Sequence, residues 1–167
     1  QINYPYPAVR DAIASAIGSN VAVIAAAGND ASSGNVFVYP CYEIPFTAWP
    51  ANYPGVIGVS GSEQSGDFVD GWNYNPPGVD LIDVNAPGRT DANEGLISTA
   101  LNNGYVKFSG TSFSSPQVAA LAGLIKTFDP DMPPSQVEQI LKDNADKIGQ
   151  YPYTNGHNNY FGYGRIN

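Results

Sequence analysis

The chain has 167 residues, with fifteen acidic and seven basic side chains and a formal net charge of −8. The length fits one domain or part of one, and a hydrophobic content of 43% is enough for a packed core. So few basic residues argue against nucleic acid as a partner, and no apolar run approaches the roughly 20 residues that span a bilayer. The single cysteine, Cys41, excludes an internal disulfide; we expect it to be a small buried side chain, with a reactive thiol as the alternative.

The first predicted elements are a helix and a strand. Apolar residues recur every four positions between Pro7 and Gly18, which predicts a helix with one apolar face. The continuous apolar run at residues 21–26 predicts a strand buried on both faces. Residues 30–54 are interrupted by four prolines, so we expect a loop there.

Three further strands are predicted in the middle of the chain. Residues 56–60 and 81–86 are short apolar runs of the kind that forms buried strands. Pro87-Gly88 predicts a turn after the second of them. Residues 96–99 predict one more short strand.

Two helices complete the pattern. The segment from Phe113 to Thr127 is apolar nearly all round, which is typical of a helix at the centre of a domain. Ser135 followed by Glu138 forms a capping box that predicts a last helix through Ala145. Helices alternating with apolar strands indicate an α/β fold with a parallel sheet.

Residues 110–116, Gly-Thr-Ser-Phe-Ser-Ser-Pro, place a hydroxyl at the start of the predicted central helix. Unpaired N–H groups and the positive end of the helix dipole gather there, and both would stabilise an oxyanion beside Ser112. The alternative is that Ser112 only caps the helix, since serine is among the favoured capping residues.

Asn29 ends the predicted strand at residues 25–29, Ala-Ala-Ala-Gly-Asn. The carboxyl ends of parallel strands border the crevice where α/β sheets bind ligands, so the Asn29 amide could donate to a carbonyl oxygen there. The alternative is a turn asparagine with no chemical role.

Taken together, these segments resemble the subtilisin-like serine proteases, or subtilases. Their nucleophile motif is G-T-S-x-x-S-P, and their oxyanion asparagine ends a strand in A-A-G-N. Three further segments match in order along the chain, namely Tyr53–Val59 (Y-P-x-V-I-x-V), Asp83–Gly88 (D-V-x-A-P-G) and Phe161–Asn167 (Y-G-x-G-x-I-N). Sedolisins share a similar S-G-T-S motif but use an acidic oxyanion residue, so Asn29 favours subtilases and only Asp30 points the other way.

The resemblance implies a serine endopeptidase with a polypeptide substrate. Ser112 would be the nucleophile, and Asn29 together with the Ser112 N–H would form the oxyanion hole. Ala26, Ala27 and Gly28 would line one wall of the pocket for the residue before the scissile bond. The implied fold is a three-layer α/β arrangement with a mostly parallel sheet, and a secreted or extracellular location fits the family.

The Asp and His of the catalytic triad are missing from the chain. Subtilases have them in the order Asp, His, Ser, well before the A-A-G-N strand. Because the chain also opens with Gln1 rather than Met, we expect residues 1–167 to be the carboxyl-terminal part of one catalytic domain, with no separate second domain. An amino-terminal half, preceding or on a separate chain, would then carry Asp and His. The alternative is a catalytically incomplete binding or structural module.

The only histidine, His157, follows Ser112 in a polar stretch. Its position after the nucleophile has the wrong chain order for a subtilase base, and no G-x-S-x-G elbow supports another order. We therefore expect His157 to be an exposed surface residue.

A weak cation site of the family implies four oxygen ligands here. They would be the carbonyls of Ala51, Tyr53 and Val56 and the carboxylate of Asp83, a donor set suited to structural calcium. Leu81 stands where subtilisins often have Glu, so one acidic neighbour is lost. The alternative is that Asp83 hydrogen-bonds locally. No cofactor is needed for the chemistry itself.

Overall fold

The computed structural model describes residues 6–31, 36–38, 42–44, 49–75, 78–92 and 94–167. Its elements in chain order are α1 (Pro7–Gly18), β1 (Val23–Ala26), β2 (Val36–Val38), β3 (Tyr42–Ile44), β4 (Val56–Glu63), β5 (Val84–Arg89), β6 (Leu96–Ala100), β7 (Gly104–Phe108), α2 (Thr111–Phe128) and α3 (Pro134–Asp143). Cys41 lies outside the described residues, so its expected burial stays a prediction.

A parallel sheet with the strand order β1-β4-β5 forms the centre of the fold, which confirms the predicted α/β class. Every residue of β4 except Glu63 is buried. Helix α2 packs on this sheet through Val118 and Ala122, and α3 adds Val137 and Leu141 to the same core. The buried strands therefore support the helix that carries the candidate nucleophile.

Two antiparallel hairpins were not predicted. One pairs β2 with β3 inside the expected loop at residues 30–54. The other pairs β6 with β7, whose three-residue connection places Asn102 and Asn103 at φ angles of 59° and 58°. Asparagine tolerates these left-handed backbone conformations, so Asn-Asn-Gly at residues 102–104 was a usable turn signal.

Strand β5 begins and ends three residues later than the predicted strand at residues 81–86. The N–H groups of Leu81 and Ile82 donate to the side-chain Oδ1 of Asn75, at 3.0 and 3.1 Å, instead of joining the sheet. The predicted turn at Pro87-Gly88 is wrong, because both residues continue β5. Pro87 pairs with Ser62 of β4, beside a register shift at the end of that strand.

The predicted capping box of the last helix is wrong. Helix α3 starts at Pro134, whose fixed φ suits the first helical turn, so Ser135 lies inside the helix rather than at its cap. Glu138 pairs with Lys142 one turn later instead of reaching back. The helix ends at Asp143, before the predicted Ala145.

The amino-terminal side of the sheet is less covered than predicted. In the described chain β1 pairs only with β4, and Ala25 is its only buried residue, so burial on both faces is not observed. Helix α1 has no buried residue. The outer face of α2 is also open, with Leu124 60% exposed and Phe128 90% exposed.

Candidate active site

Ser112 lies in the first turn of α2, with its side chain exposed. The helix begins at Thr111 after Gly110 as its N-cap, so the capping alternative for Ser112 is wrong. Within the described residues the Ser112 hydroxyl neither caps the helix nor bonds to another side chain. A free hydroxyl at a helix start is available to react with a ligand.

The turn before α2 depends on Gly110. Its φ of +139° lies in a region that side chains disfavour, and a Cβ there would lie 3.2 Å from the Asn29 Nδ2 atom. The Gly110 N–H donates to the Gly88 carbonyl at 3.1 Å, which ties the turn to β5. Glycine therefore allows Asn29 to approach the start of the helix closely.

Two hydrogen bonds join the end of β1 to the start of α2. The Thr111 N–H donates to the Asn29 Oδ1 at 2.9 Å, and the Gly28 N–H donates to the Thr111 Oγ1 at 3.0 Å. Thr111 is fully buried whereas Asn29 is exposed, so this link is only partly shielded from water. Because the Asn29 oxygen is engaged, its Nδ2 amide is the group left to donate to a ligand.

The arrangement is suited to binding an oxyanion. The Ser112 N–H lies in the first helical turn, where backbone N–H groups have no intrahelical acceptor. The helix dipole adds a partial positive charge at the same place. Asn29 and Ser112, 83 positions apart in sequence, are thus brought to one helix terminus, as the sequence motifs implied.

Asn73 is a positioning residue that the sequence did not suggest. Its Nδ2 donates to the Ala27 carbonyl at 2.8 Å, its Oδ1 accepts the Asp30 N–H at 3.0 Å, and its own N–H donates to the Gly28 carbonyl at 3.0 Å. The side chain is only 2% exposed. These bonds hold the backbone on both sides of Asn29, and no local pattern around Asn73 could have revealed them.

The three residues predicted to line a specificity pocket precede Asn29 directly. Ala27 is fully buried, and Ala26 and Gly28 are half-buried. The Ala27 N–H donates to the Val59 carbonyl at 2.8 Å, which extends the β1–β4 pairing to the edge of the site. Their role as a pocket wall stays a prediction.

His157 is less exposed than predicted. Its side chain is 17% exposed, and its Nε2 lies 3.1 Å from the Asp80 Oδ1 and 3.3 Å from the Asn75 Nδ2. The hydrogen bond from His157 lowers the pKa of Asp80 below its usual value. The polar sequence suggested an exposed loop, but these long-range partners and the ring of Tyr163 enclose the imidazole. None of these partners belongs to the Asn29–Ser112 site.

The predicted cation ligands Ala51, Tyr53, Val56 and Asp83 line one cleft of about 210 Å³. The described residues hold no cluster of three or more His, Cys, Asp or Glu side chains that could bind a metal ion. The Asp83 Oδ2 accepts the Gly58 N–H at 2.7 Å, which is the local hydrogen bond of the alternative interpretation.

A cation already lies beside Asp83. The Lys142 Nζ is 2.6 Å from the Asp83 Oδ1; burial raises the pKa of Asp83 to about 6, and the Lys142 ammonium opposes that rise. Burial alone would lower the pKa of Lys142, but Asp83 and Glu138 more than offset it and raise that pKa. With the Lys142 ammonium on the only carboxylate of the predicted ligand set, that set does not fit a metal ion.

Comparisons with known proteins identify relatives over nearly the whole chain. The family model described as "Subtilase family" matches residues 3–164. A thermophilic serine proteinase from Bacillus sp. (strain AK1) is 35% identical over 87% of this chain and 29% of its own length. Subtilisin DY from Bacillus licheniformis is 32% identical over 96% of this chain and 50% of its own length.

A solved structure shares the fold. A protease from Pseudoalteromonas arctica superposes with a TM-score of 0.76 and 27% identity, covering 98% of this chain and 45% of that one. The chain thus spans half or less of the length of these relatives. Within the described ranges no helix is long and apolar enough to cross a membrane.

Proposed function

Because the chain belongs to the subtilase family, we propose that it is the serine-bearing part of a secreted endopeptidase that hydrolyses peptide bonds. One observation carries this proposal. The Thr111 N–H donates to the Asn29 Oδ1, which supports an Asn29 side chain held at the same first turn of α2 that carries Ser112. A nucleophile and a preorganised oxyanion donor are the two parts of acyl transfer that this chain can supply.

The proposed reaction begins with attack of the Ser112 Oγ on the scissile carbonyl carbon. A base takes the hydroxyl proton as the new C–O bond forms, and the carbonyl electrons move onto the oxygen. The Asn29 Nδ2 and the Ser112 N–H donate to that oxyanion. Collapse breaks the C–N bond, the amine leaves with the proton, and water then hydrolyses the acyl group from Ser112.

The base is proposed to come from an amino-terminal half that carries Asp and His, on a preceding segment or a separate chain. Among the described residues β1 has a neighbouring strand on one edge only, and this supports the partner because an unpaired sheet edge pairs readily with another strand. A cleft of about 360 Å³ between β1 and α2, lined by Val21, Ile24, Ala119 and Gly123 among others, offers apolar surface for it.

The rival function is a binding or structural module derived from a protease. Such a module has no need for a free serine hydroxyl and an oriented asparagine amide at one helix terminus. Ser112 and Asn29 keep that arrangement, which favours the enzyme. The predicted wall of Ala26, Ala27 and Gly28 would border the substrate side chain before the scissile bond.

A fluorophosphonate probe tests the proposal on the protein that includes the amino-terminal half. We expect covalent labelling at Ser112 and hydrolysis of a peptide substrate, with both lost in Ser112→Ala. Ser109→Ala is the matched control, since Ser109 is exposed in the same segment and should keep full labelling. Labelling that persists in Ser112→Ala would remove Ser112 as the nucleophile.

A further inference from the structure

Lys142 is the centre of a largely buried charge cluster away from the Ser112 site. Its Nζ lies 2.6 Å from the Asp83 Oδ1 and 2.6 Å from the Glu138 Oε1. The ring centroid of Tyr163 lies 4.9 Å away and offers its face as a third contact. The Lys142 and Asp83 side chains are only 13% and 10% exposed, so both charges are largely withdrawn from water.

The cluster lies where the cation ligands were predicted. Lys142 and Glu138 line the same cleft as Ala51, Val56 and Asp83. Calcium binds oxygen at about 2.3–2.6 Å, so an ion on the Asp83 Oδ1 would compete with the Nζ for that oxygen. It would also lie a few ångströms from a like charge in a poorly hydrated place, which is strongly unfavourable.

Two further oxygen atoms of the predicted calcium ligands already accept hydrogen bonds. The Asp83 Oδ2 accepts the Gly58 N–H, and the Tyr53 carbonyl accepts the Val56 N–H at 3.1 Å. Three segments of the chain therefore converge on one ammonium group, namely the start of β5, the middle of α3 and the tail at Tyr163.

We propose that the Lys142 ammonium takes the place of a structural metal ion at this site. An internal cation holds Asp83 against α3, so this corner of the fold does not depend on a divalent ion. Removing the ammonium while keeping the oxygen atoms would turn the same cleft into a cation-binding site. The inference concerns stability alone and stands or falls independently of the proposed protease activity.

The test uses the full-length protein carrying Ser112→Ala, which prevents self-digestion. Hydrogen exchange of the Gly58 amide reports on the site locally, because that N–H donates to Asp83. It is measured in chelator and in millimolar calcium, with the melting temperature recorded in parallel. Any metal sites elsewhere in the protein affect parent and variant alike, so the difference between them isolates this cleft.

In the parent, we expect the Gly58 exchange rate to agree within about twofold between chelator and calcium. In Lys142→Ala with chelator, exchange should accelerate at least about tenfold, because a buried carboxylate is left unpaired. Calcium should restore most of the lost protection. Lys107→Ala is the matched control and should behave like the parent, since Lys107 pairs with Glu94 at the surface and neither residue lines the cleft.

Three results would overturn the proposal. Calcium-dependent protection of Gly58 in the parent would mean that a metal binds despite Lys142, and this arm needs no Lys142 variant to fold. An unchanged Lys142→Ala would mean that the ammonium holds nothing together. A destabilised Lys142→Ala that ignores calcium would mean that the oxygen atoms do not form a cation site.

Discussion

The two sides of the parallel sheet differ sharply in how well they are covered. On the β4–β5 side, the strands, α2, α3 and the carboxyl-terminal tail enclose a continuous core that includes the fully buried Val59, Val84 and Val118. On the α1–β1 side, apolar residues of similar type are left at the surface, including Val9 at 46% and Val21 at 50% exposure.

An apolar run therefore indicates that a segment can be buried. It does not show that the strands or helices that would bury it are present in the same chain. The run at residues 21–26 is more hydrophobic than β4, yet only β4 has neighbouring strands on both edges within the described chain. The candidate site lies on the boundary, with Ser112 attached to the covered side and Asn29 to the open side. The proposed amino-terminal half would therefore complete both the candidate site and the packing around β1.

The largest expected effect comes from adding the proposed amino-terminal half to the chain. The 167-residue chain alone should react with a fluorophosphonate on the order of 10⁶-fold more slowly than the chain joined to the half carrying Asp and His, because no base activates Ser112; loss of the base in subtilisin is the reference case for this factor. The bare β1 edge and α2 face should also cause self-association. Labelling rates and sedimentation measure both. A compact monomer that labels as fast as the assembled enzyme would contradict the half-domain interpretation.

The second-largest effect is expected at Asn29, which lies on the less covered β1 side of the site. Asn29→Leu in the assembled enzyme should lower kcat by about 10²–10³-fold with little change in KM, because the lost amide acts mainly on the transition state; subtilisin itself is the reference case for this range. Steady-state kinetics on a peptide substrate gives both constants, and unchanged melting temperature serves as the folding control. Undiminished turnover would exclude the oxyanion role.

A matched pair of small core deletions compares the two sides quantitatively. Ile57→Val, in buried β4, should cost about 0.5–1.5 kcal/mol of the free energy of unfolding in any context. Ile24→Val, in half-buried β1, should cost less than that in the chain alone and approach the Ile57 value once the amino-terminal half is present. Denaturant unfolding of both variants in both contexts measures the difference. Equal costs in the two contexts would mean that β1 gains no further packing.

The smallest effect is expected at His157. His157→Ala should change kcat/KM of the assembled enzyme by less than about tenfold, because its partners Asp80 and Asn75 lie outside the candidate site. Peptide hydrolysis across neutral pH provides the measurement. A loss beyond about a hundredfold, the lower end of general-base effects, would make His157 a catalytic base and reverse the assignment.

Local patterns predicted the fold where local physics decides it. Helix α1 starts at Pro7 and ends at Gly18 as predicted, since proline and glycine mark those positions without help from distant residues. The capping box at Ser135 failed because the preceding Pro134 was a stronger start signal. Strand β7 was missed although Asn102 and Asn103 marked the turn before it.

The site was predicted only as far as its motifs reached. Ser112 and Asn29 lie in recognisable sequence motifs. The hydrogen bonds and ion pairs that support the surrounding structure come from residues that are distant in sequence. Asn73 bonds to Ala27 across 46 positions, and Lys142 of α3 pairs with Asp83, which directly precedes β5. Such contacts depend on the assembled fold, so no pattern within one segment contains them.

The link between β1 and α2 also sets when the site can exist during synthesis. Its two hydrogen bonds join residues 82 and 83 positions apart, so both wait until Thr111 has left the ribosome and returned to the end of β1. Closing so long a loop is entropically costly and is repaid only when the intervening sheet has formed. Asn29 is therefore synthesised long before the proposed oxyanion hole can form. The proposed oxyanion hole therefore forms only after the sheet between these two segments has folded.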